Sequence, residues 1–383
     1  MSGAPTQSPD LVRRALTLGL AASPLLLPKG ALAAGSAAPT MRVAQLLDMS
    51  AEQQDLSRDY STGVRLGLAE FNQANGGRNI QITTLNTDGS PASLKEALDK
   101  LREDASICAL LGTVGDHLAV ESIAAAHGAK LSIAHVAPWM ADSRHDADDE
   151  VFALFASREM QIRHALKSLE VMGVSELGVI YTDAAEQKAI QDEVNAMAAR
   201  LKLRIATYVP AAGEDLTALP ARMGSKVPAI LLFLGGTLEL AQFTQALSRQ
   251  NLQRYVVSLA DVDVPTLMQV GTGKAVPLIL TQVVPNPQTS SLPVVRNYRA
   301  GLKRLFDESP SQVSLAGYLA ARYAAQVLLR VEPSASRARV LAEFQKRPAA
   351  DLGGFNISFA ASQRRGSTFV TQTLLGPDGR LIG

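Results

Sequence analysis

Apolar residues recur along this chain in two alternating rhythms. Short apolar runs at 41–47, 80–85, 107–111 and 131–136 have the length of strands. Between them apolar positions return at helical spacing. They are Tyr60, Val64, Leu68 and Phe71, then Leu94, Leu98 and Leu101, then Leu118, Val120, Ile123 and Ala124. Ser90-Pro91 signals the start of the second helix, Asn75-Gly76-Gly77 ends the first, and Gly128 ends the third. The stretch 107–143 is therefore a strand, a turn at 112–115, a helix, a strand and a loop. That is a βαβ unit, and its two strands run parallel. Its loops, 112–117 and 137–143, fall at the carboxyl ends of their strands, the edge where open α/β sheets bind ligands.

The acidic run 144–150 (RHDADDE) interrupts the rhythm, which then restarts. Extended segments are expected at 151–155, 177–181, 205–209, 230–234, 255–259 and 278–284. Helices are expected around Ile162–Leu166–Leu169, Ile190–Val194–Met197, 216–223 and Leu240–Phe243–Leu247. After Pro285-Asn286-Pro287 come three helices, marked by Val295, Tyr298 and Leu302, by Leu319, Tyr323 and Val327, and by 337–344. The tail alternates as β at 355–359 and 368–375. The fold class is α/β, with two Rossmann-like lobes of parallel strands flanked by helices. Breaks near Ala156, Pro285 and Asp351 predict several crossings between the lobes. Lobe 1 takes 41–155 and 286–350, and lobe 2 takes 156–285 and 351–383.

Composition narrows the function. Of 383 residues 47% are apolar, enough for a core in each lobe, and the net charge is +1, which provides no bulk field for nucleic acid. Cys108 is the single cysteine, so no internal disulfide can form, and its apolar strand predicts a buried thiol. The front of the chain reads as an export signal over 1–33. Arg13-Arg14 precede an apolar stretch from Ala15 to Leu27, and Ala31-Leu32-Ala33 is a small-x-small cleavage pattern. The paired arginines resemble a twin-arginine signal, with a general secretory signal as the alternative. Either predicts a periplasmic protein beginning near Ala34, with no membrane insertion after signal removal.

Taken in order, the landmarks resemble the leucine/isoleucine/valine-binding type of periplasmic solute-binding protein, the type I receptors of ABC transporters. They are NQANGG at 72–77, Asp88, LLGTVG at 110–115, LGVIYTD at 177–183, TQVVPNP at 281–287 and the serine- and tyrosine-bearing helix at 311–321. The resemblance implies capture of a small solute by hinge closure and delivery to a membrane permease with its ATPase, without catalysis and without a cofactor. A ligand-sensing subunit of the same fold, reporting to a regulator or sensor kinase, is the alternative. It also implies contacts. Asp116 stands where a hydroxyl is common, Ala137 and Trp139 lie on the next loop, and Ala185, Thr237 and Asp261 follow three strands of lobe 2.

Several residues admit two readings. Asp116 either contacts ligand or caps the helix after it. His117 lies at the cleft mouth, as a contact or as a surface histidine. Trp139 either stacks on ligand or packs in the hinge. Thr237 is a contact or a helix cap. Gly271-Thr272-Gly273-Lys274 lacks phosphate-loop spacing and reads as a turn. The five histidines include no H-E-x-x-H pair, and no G-x-S-x-G elbow occurs, which argues against two large hydrolase classes.

Overall fold

Two sheets carry the molecule, and each has its strands in the same order. The computed structural model describes residues 40–383 except 76–77, 225, 251–252, 271–275, 361–362, 377 and 383. The export signal at 1–33, the glycines after the first helix and the 271–274 turn lie outside the described residues. The first lobe opens with β1 (Thr40–Asp48), α1 (Gln54–Ala74), β2 (Asn79–Thr87) and α2 (Pro91–Glu103). It continues with β3 (Ile107–Leu111), α3 (Asp116–Gly128), β4 (Ala134–Val136) and β5 (Val151–Phe152). These strands form a parallel sheet in the order β2-β1-β3-β4-β5.

The chain then builds α4 (Arg158–Val171), β6 (Glu176–Tyr181), α5 (Ala184–Arg200), β7 (Arg204–Tyr208) and α6 (Leu219–Met223). After these come β8 (Ile230–Leu234), α7 (Thr237–Ser248), β9 (Tyr255–Ser258), α8 (Val264–Gln269) and β10 (Leu278–Gln282). Their order β7-β6-β8-β9-β10 repeats that of the first lobe. Two strands extend the second sheet beyond the parallel set, because β13 (Thr371–Leu375) pairs with β10 antiparallel and β14 (Leu381–Ile382) pairs with β13. The second sheet is therefore mixed at one edge.

Local chemistry accounts for the boundaries. Ser90 caps α2 by accepting from the Ser93 N–H at 3.2 Å, with Pro91 at the first helical position. The strand expected from Leu131 starts only at Ala134. Lys130 takes a left-handed φ of 53° and the Leu131 N–H turns back to the Ala126 carbonyl, so the helix end consumes those residues.

Between β10 and β13 the chain returns to the first lobe as α9 (Pro293–Leu305), α10 (Gln312–Leu328) and α11 (Arg337–Gln345). Two short strands follow, β11 (Ala350–Asp351) and β12 (Asn356–Ile357). α10 is buried along nearly its whole length and packs on α1. Glycines make that approach possible. A Cβ on Gly63 would lie 1.8 Å from the Ser314 carbonyl oxygen, and one on Gly317 would lie 2.1 Å from that of Tyr60. Leu352, Phe355 and Ile357 pack into the first core, so the chain joins the second sheet only at β13.

Candidate ligand cleft

In both sheets the strand order reverses between the first strand and its neighbour, at β1/β3 and at β6/β8. Open α/β sheets bind ligands outside the carboxyl ends of the strands at that switch point. Here the two switch points face one cavity of about 550 Å³. Asp48 and Gly115 reach it from β1 and β3, Thr182 and Gly235 from β6 and β8, and Asp261 from the loop after β9. The volume is that of a small-molecule site.

Five of the seven residues singled out from the sequence line this cavity: Asp116, His117, Trp139, Thr237 and Asp261. Asp116 is the first residue of α3 and does not cap it, because Gly115 holds the cap position without a side-chain bond. Its Oδ1 accepts the N–H of Ala141 at 2.5 Å and that of Asp142 at 3.4 Å. His117 is exposed at the rim. Trp139 is 6% exposed, its ring lying 5.8 Å from Tyr60 and edge-on to Phe155 at 5.6 Å. Thr237 follows the cap residue Gly236, and its hydroxyl accepts the Asp263 N–H at 2.9 Å.

Two of the seven lie outside the cavity wall. Ala137 is fully buried at a φ of 49°, and its carbonyl accepts the Tyr60 hydroxyl at 2.8 Å. It shapes the loop that presents Trp139. Ala185 is exposed, in the first turn of α5, where its N–H donates to the capping carboxylate of Asp183. Its neighbour Glu186 faces the cavity instead. A loop position inferred one residue off on a helix start points in another direction, since each helical residue turns the side chain by about 100°.

The central residue of the site was not evident in the sequence. Arg158, first in α4, lies where the chain has just crossed between lobes. Its Nη2 meets Asp116 Oδ2 at 3.2 Å and its Nη1 donates to Glu186 Oε1 at 2.7 Å. It thus ties the first lobe to the second. One local signal exists: a cation at a helix N-terminus opposes the helix dipole. Burial works against its charge, but Asp261, Glu186 and Asp116 outweigh that and strengthen its hold on the proton. Burial raises the Asp116 and Glu186 carboxyls above their usual range, with Arg158 opposing. Asp261 is pushed up to about 6, by burial first and against the pull of Arg158.

Two glutamines fix the floor. Gln161 of α4 accepts from the Ala260 N–H at 2.8 Å and from the Thr281 hydroxyl at 2.7 Å. Gln312 of α10 donates to the Ala260 carbonyl at 2.8 Å, so one residue of the β9 loop is held from both sides. At the rim, Thr266 donates to Asp55 at 3.2 Å, a direct contact between the lobes.

Among the described residues no group of side chains could hold a metal ion, and no helix is long and apolar enough to cross a membrane. Two lobes of repeated strand order, with a walled cavity at their facing switch points, define a two-lobed solute-binding receptor. The chain belongs to the periplasmic binding protein family, whose model matches residues 40–373. No curated protein matches it in sequence. Among solved structures it is similar to an extracellular ligand-binding receptor from Verminephrobacter eiseniae. That pair has a TM-score of 0.79 and 19% identity, covering 90% of this chain and 100% of that one. A substrate-binding periplasmic protein from Ralstonia solanacearum gives 0.77 at 24% identity, covering 89% and 99%. A branched-chain amino acid transporter substrate-binding protein from Streptococcus pneumoniae, in complex with isoleucine, gives 0.71 at 15% identity, covering 89% and 97%.

Proposed function

We propose that this protein is the exported substrate-binding component of an ABC importer. It captures a small solute between its lobes and presents the closed form to a membrane permease and its ATPase. The single observation that carries this reading is the cavity of about 550 Å³ at the two facing switch points. The family supports the receptor role, and the structural neighbours support the transporter context. The paired arginines and the Ala31-Leu32-Ala33 pattern support export to the periplasm.

Closure moves residues 41–155 with 286–350 against residues 156–285 with the strands of the tail, and the stretch 352–357 moves with the first body. The contacts that change are those at the rim and across Arg158. Asp116, His117, Trp139, Thr237 and Asp261 contact the solute in this reading, whereas Ala137 and Ala185 act through the loops they belong to.

A thermal-shift screen of small solutes tests the reading. A solute at a hundred times its dissociation constant adds about 2.7 kcal/mol of stability. A hit should also change the emission of Trp139, the only tryptophan, and reduce the radius of gyration in small-angle scattering. A hit that stabilises the protein yet leaves both signals unchanged would place the ligand elsewhere and defeat the proposal.

A further inference from the structure

Accepting the cleft as a solute site, we infer that it is built for a solute carrying a cationic nitrogen and no carboxylate at the Asp116 end. Four observations converge on this. First, Asp116 sets a fixed carboxylate at the start of α3 and already engages the loop donors beside it. The N–H groups of Ala141 and Asp142, on the loop facing the start of α3, are bound by the Asp116 carboxylate. Second, Arg158 is the one lysine or arginine among the described residues that line the cavity, and both ends of its fork are taken, by Asp116 and by Glu186. A ligand carboxylate would have to displace an internal partner and then sit beside it, against like-charge repulsion.

Third, eight carboxylate side chains line the same cavity against that one guanidinium. Asp48, Asp55 and Asp263 have hydrogen-bond partners within the protein. Asp261 does not complete its set: its Oδ1 is buried and has no hydrogen-bond partner. A buried carboxylate oxygen without a donor is costly, so a donor supplied by the solute is favoured. Fourth, the wall also presents Trp139 and Phe155, aromatic rings that attract a cation when it lies over a face. Charge deficit, orphaned acceptor and aromatic wall together select a cationic nitrogen that carries N–H donors, an ammonium or an amidinium. A free amino acid satisfies Asp261 with its ammonium but brings one more carboxylate into a cavity where eight already face a single guanidinium.

Matched probes test this on the purified full chain by titration calorimetry. Phenethylamine, phenylalaninamide, phenylalanine and phenylacetate form one set; isoamylamine, leucinamide, leucine and isovalerate form another, with agmatine against arginine as a third. In each set the cationic probe without a carboxylate should bind at least tenfold more tightly than the probe that carries one. The substitution Asp261→Asn should weaken that binding at least tenfold, while Asp261→Glu, which keeps the charge, should retain most of it, both with melting curves close to the parent. Tighter binding of the carboxylate-bearing members, with compaction in scattering, overturns the charge inference and leaves the receptor reading intact. If no probe of any charge binds or compacts the lobes, both fall.

Discussion

Arg365 reaches Asp146 of the first lobe at 2.8 Å, and the pair is the most deeply buried ion pair among the described residues, with the arginine side chain 1% exposed. The same guanidinium donates to the carbonyls of Met140, Phe155 and Asp142. It fastens the returning tail to the loop that carries Trp139 and to the crossing before Arg158. Burial lifts the Asp146 carboxyl above its usual range, with the Arg365 hydrogen bond opposing. Replacing Arg365 by Met should therefore cost about 3–5 kcal/mol, since a carboxylate and several carbonyls lose their donor together. Urea unfolding of Arg365→Met measures it, and a loss below 1 kcal/mol would show that the network relaxes around the gap.

Arg158 gives a prediction with a pH signature. Without its charge, Asp116, Glu186 and Asp261 face one another with no cation between them, and Asp142 adds to the repulsion. At pH 8, above the value of about 6 to which Asp261 is pushed, that carboxylate is charged, and Arg158→Gln should cost about 3 kcal/mol. Toward pH 5 the loss should shrink, because Asp261, already pushed up to about 6, takes up a proton and relieves the repulsion. Thermal melts of parent and variant at the two pH values decide it. An equal loss at both would mean that Arg158 acts by packing alone.

The helix pair α1/α10 offers a purely steric test. A methyl group at Gly317 would lie 2.1 Å from the Tyr60 carbonyl oxygen, which is backbone and cannot rotate away. Gly317→Ala gains helix propensity of about 1 kcal/mol but forces the helices apart, so a net loss of at least about 2 kcal/mol is expected. Gly128→Ala meets nothing within 4 Å and serves as the control, with stability unchanged or slightly raised.

Asp59 should make the protein less stable as pH rises. Its carboxyl, hydrogen-bonded to the Ser311 hydroxyl at the start of α10, is lifted from 3.8 to about 7, by burial first and also by Asp263 and Glu308. The folded state thus holds a proton that the unfolded chain releases. That contribution is complete below about pH 4 and is lost as pH rises through 7. Asp59→Asn keeps a neutral acceptor, so its melting temperature should gain on the parent steadily from pH 4 to pH 8. A constant difference across that range would contradict the assignment.

The sequence by itself determined the α/β class and most of the element order, because hydrophobic period is a local property, and its ordered landmarks carried the family resemblance; the short α8 and β14 have too few residues to show a period. It also marked the loops that carry Asp116, His117 and Trp139 as a ligand edge, since carboxyl ends of parallel strands in one sheet share an edge, while Thr237 and Asp261 rested on the family resemblance. What only the tertiary structure decided was pairing across lobes. The chain separation between Arg158 and Asp116, between Gln312 and Ala260, and between Arg365 and Asp146 leaves no periodic trace, so their meeting depends on how two sheets face each other. The direction of Glu186 rather than Ala185 into the cavity is decided in the same way, by the rotation of one helix against a distant loop. The charge of the site follows from those pairings, because a carboxylate counts toward a ligand only after its internal partners are known.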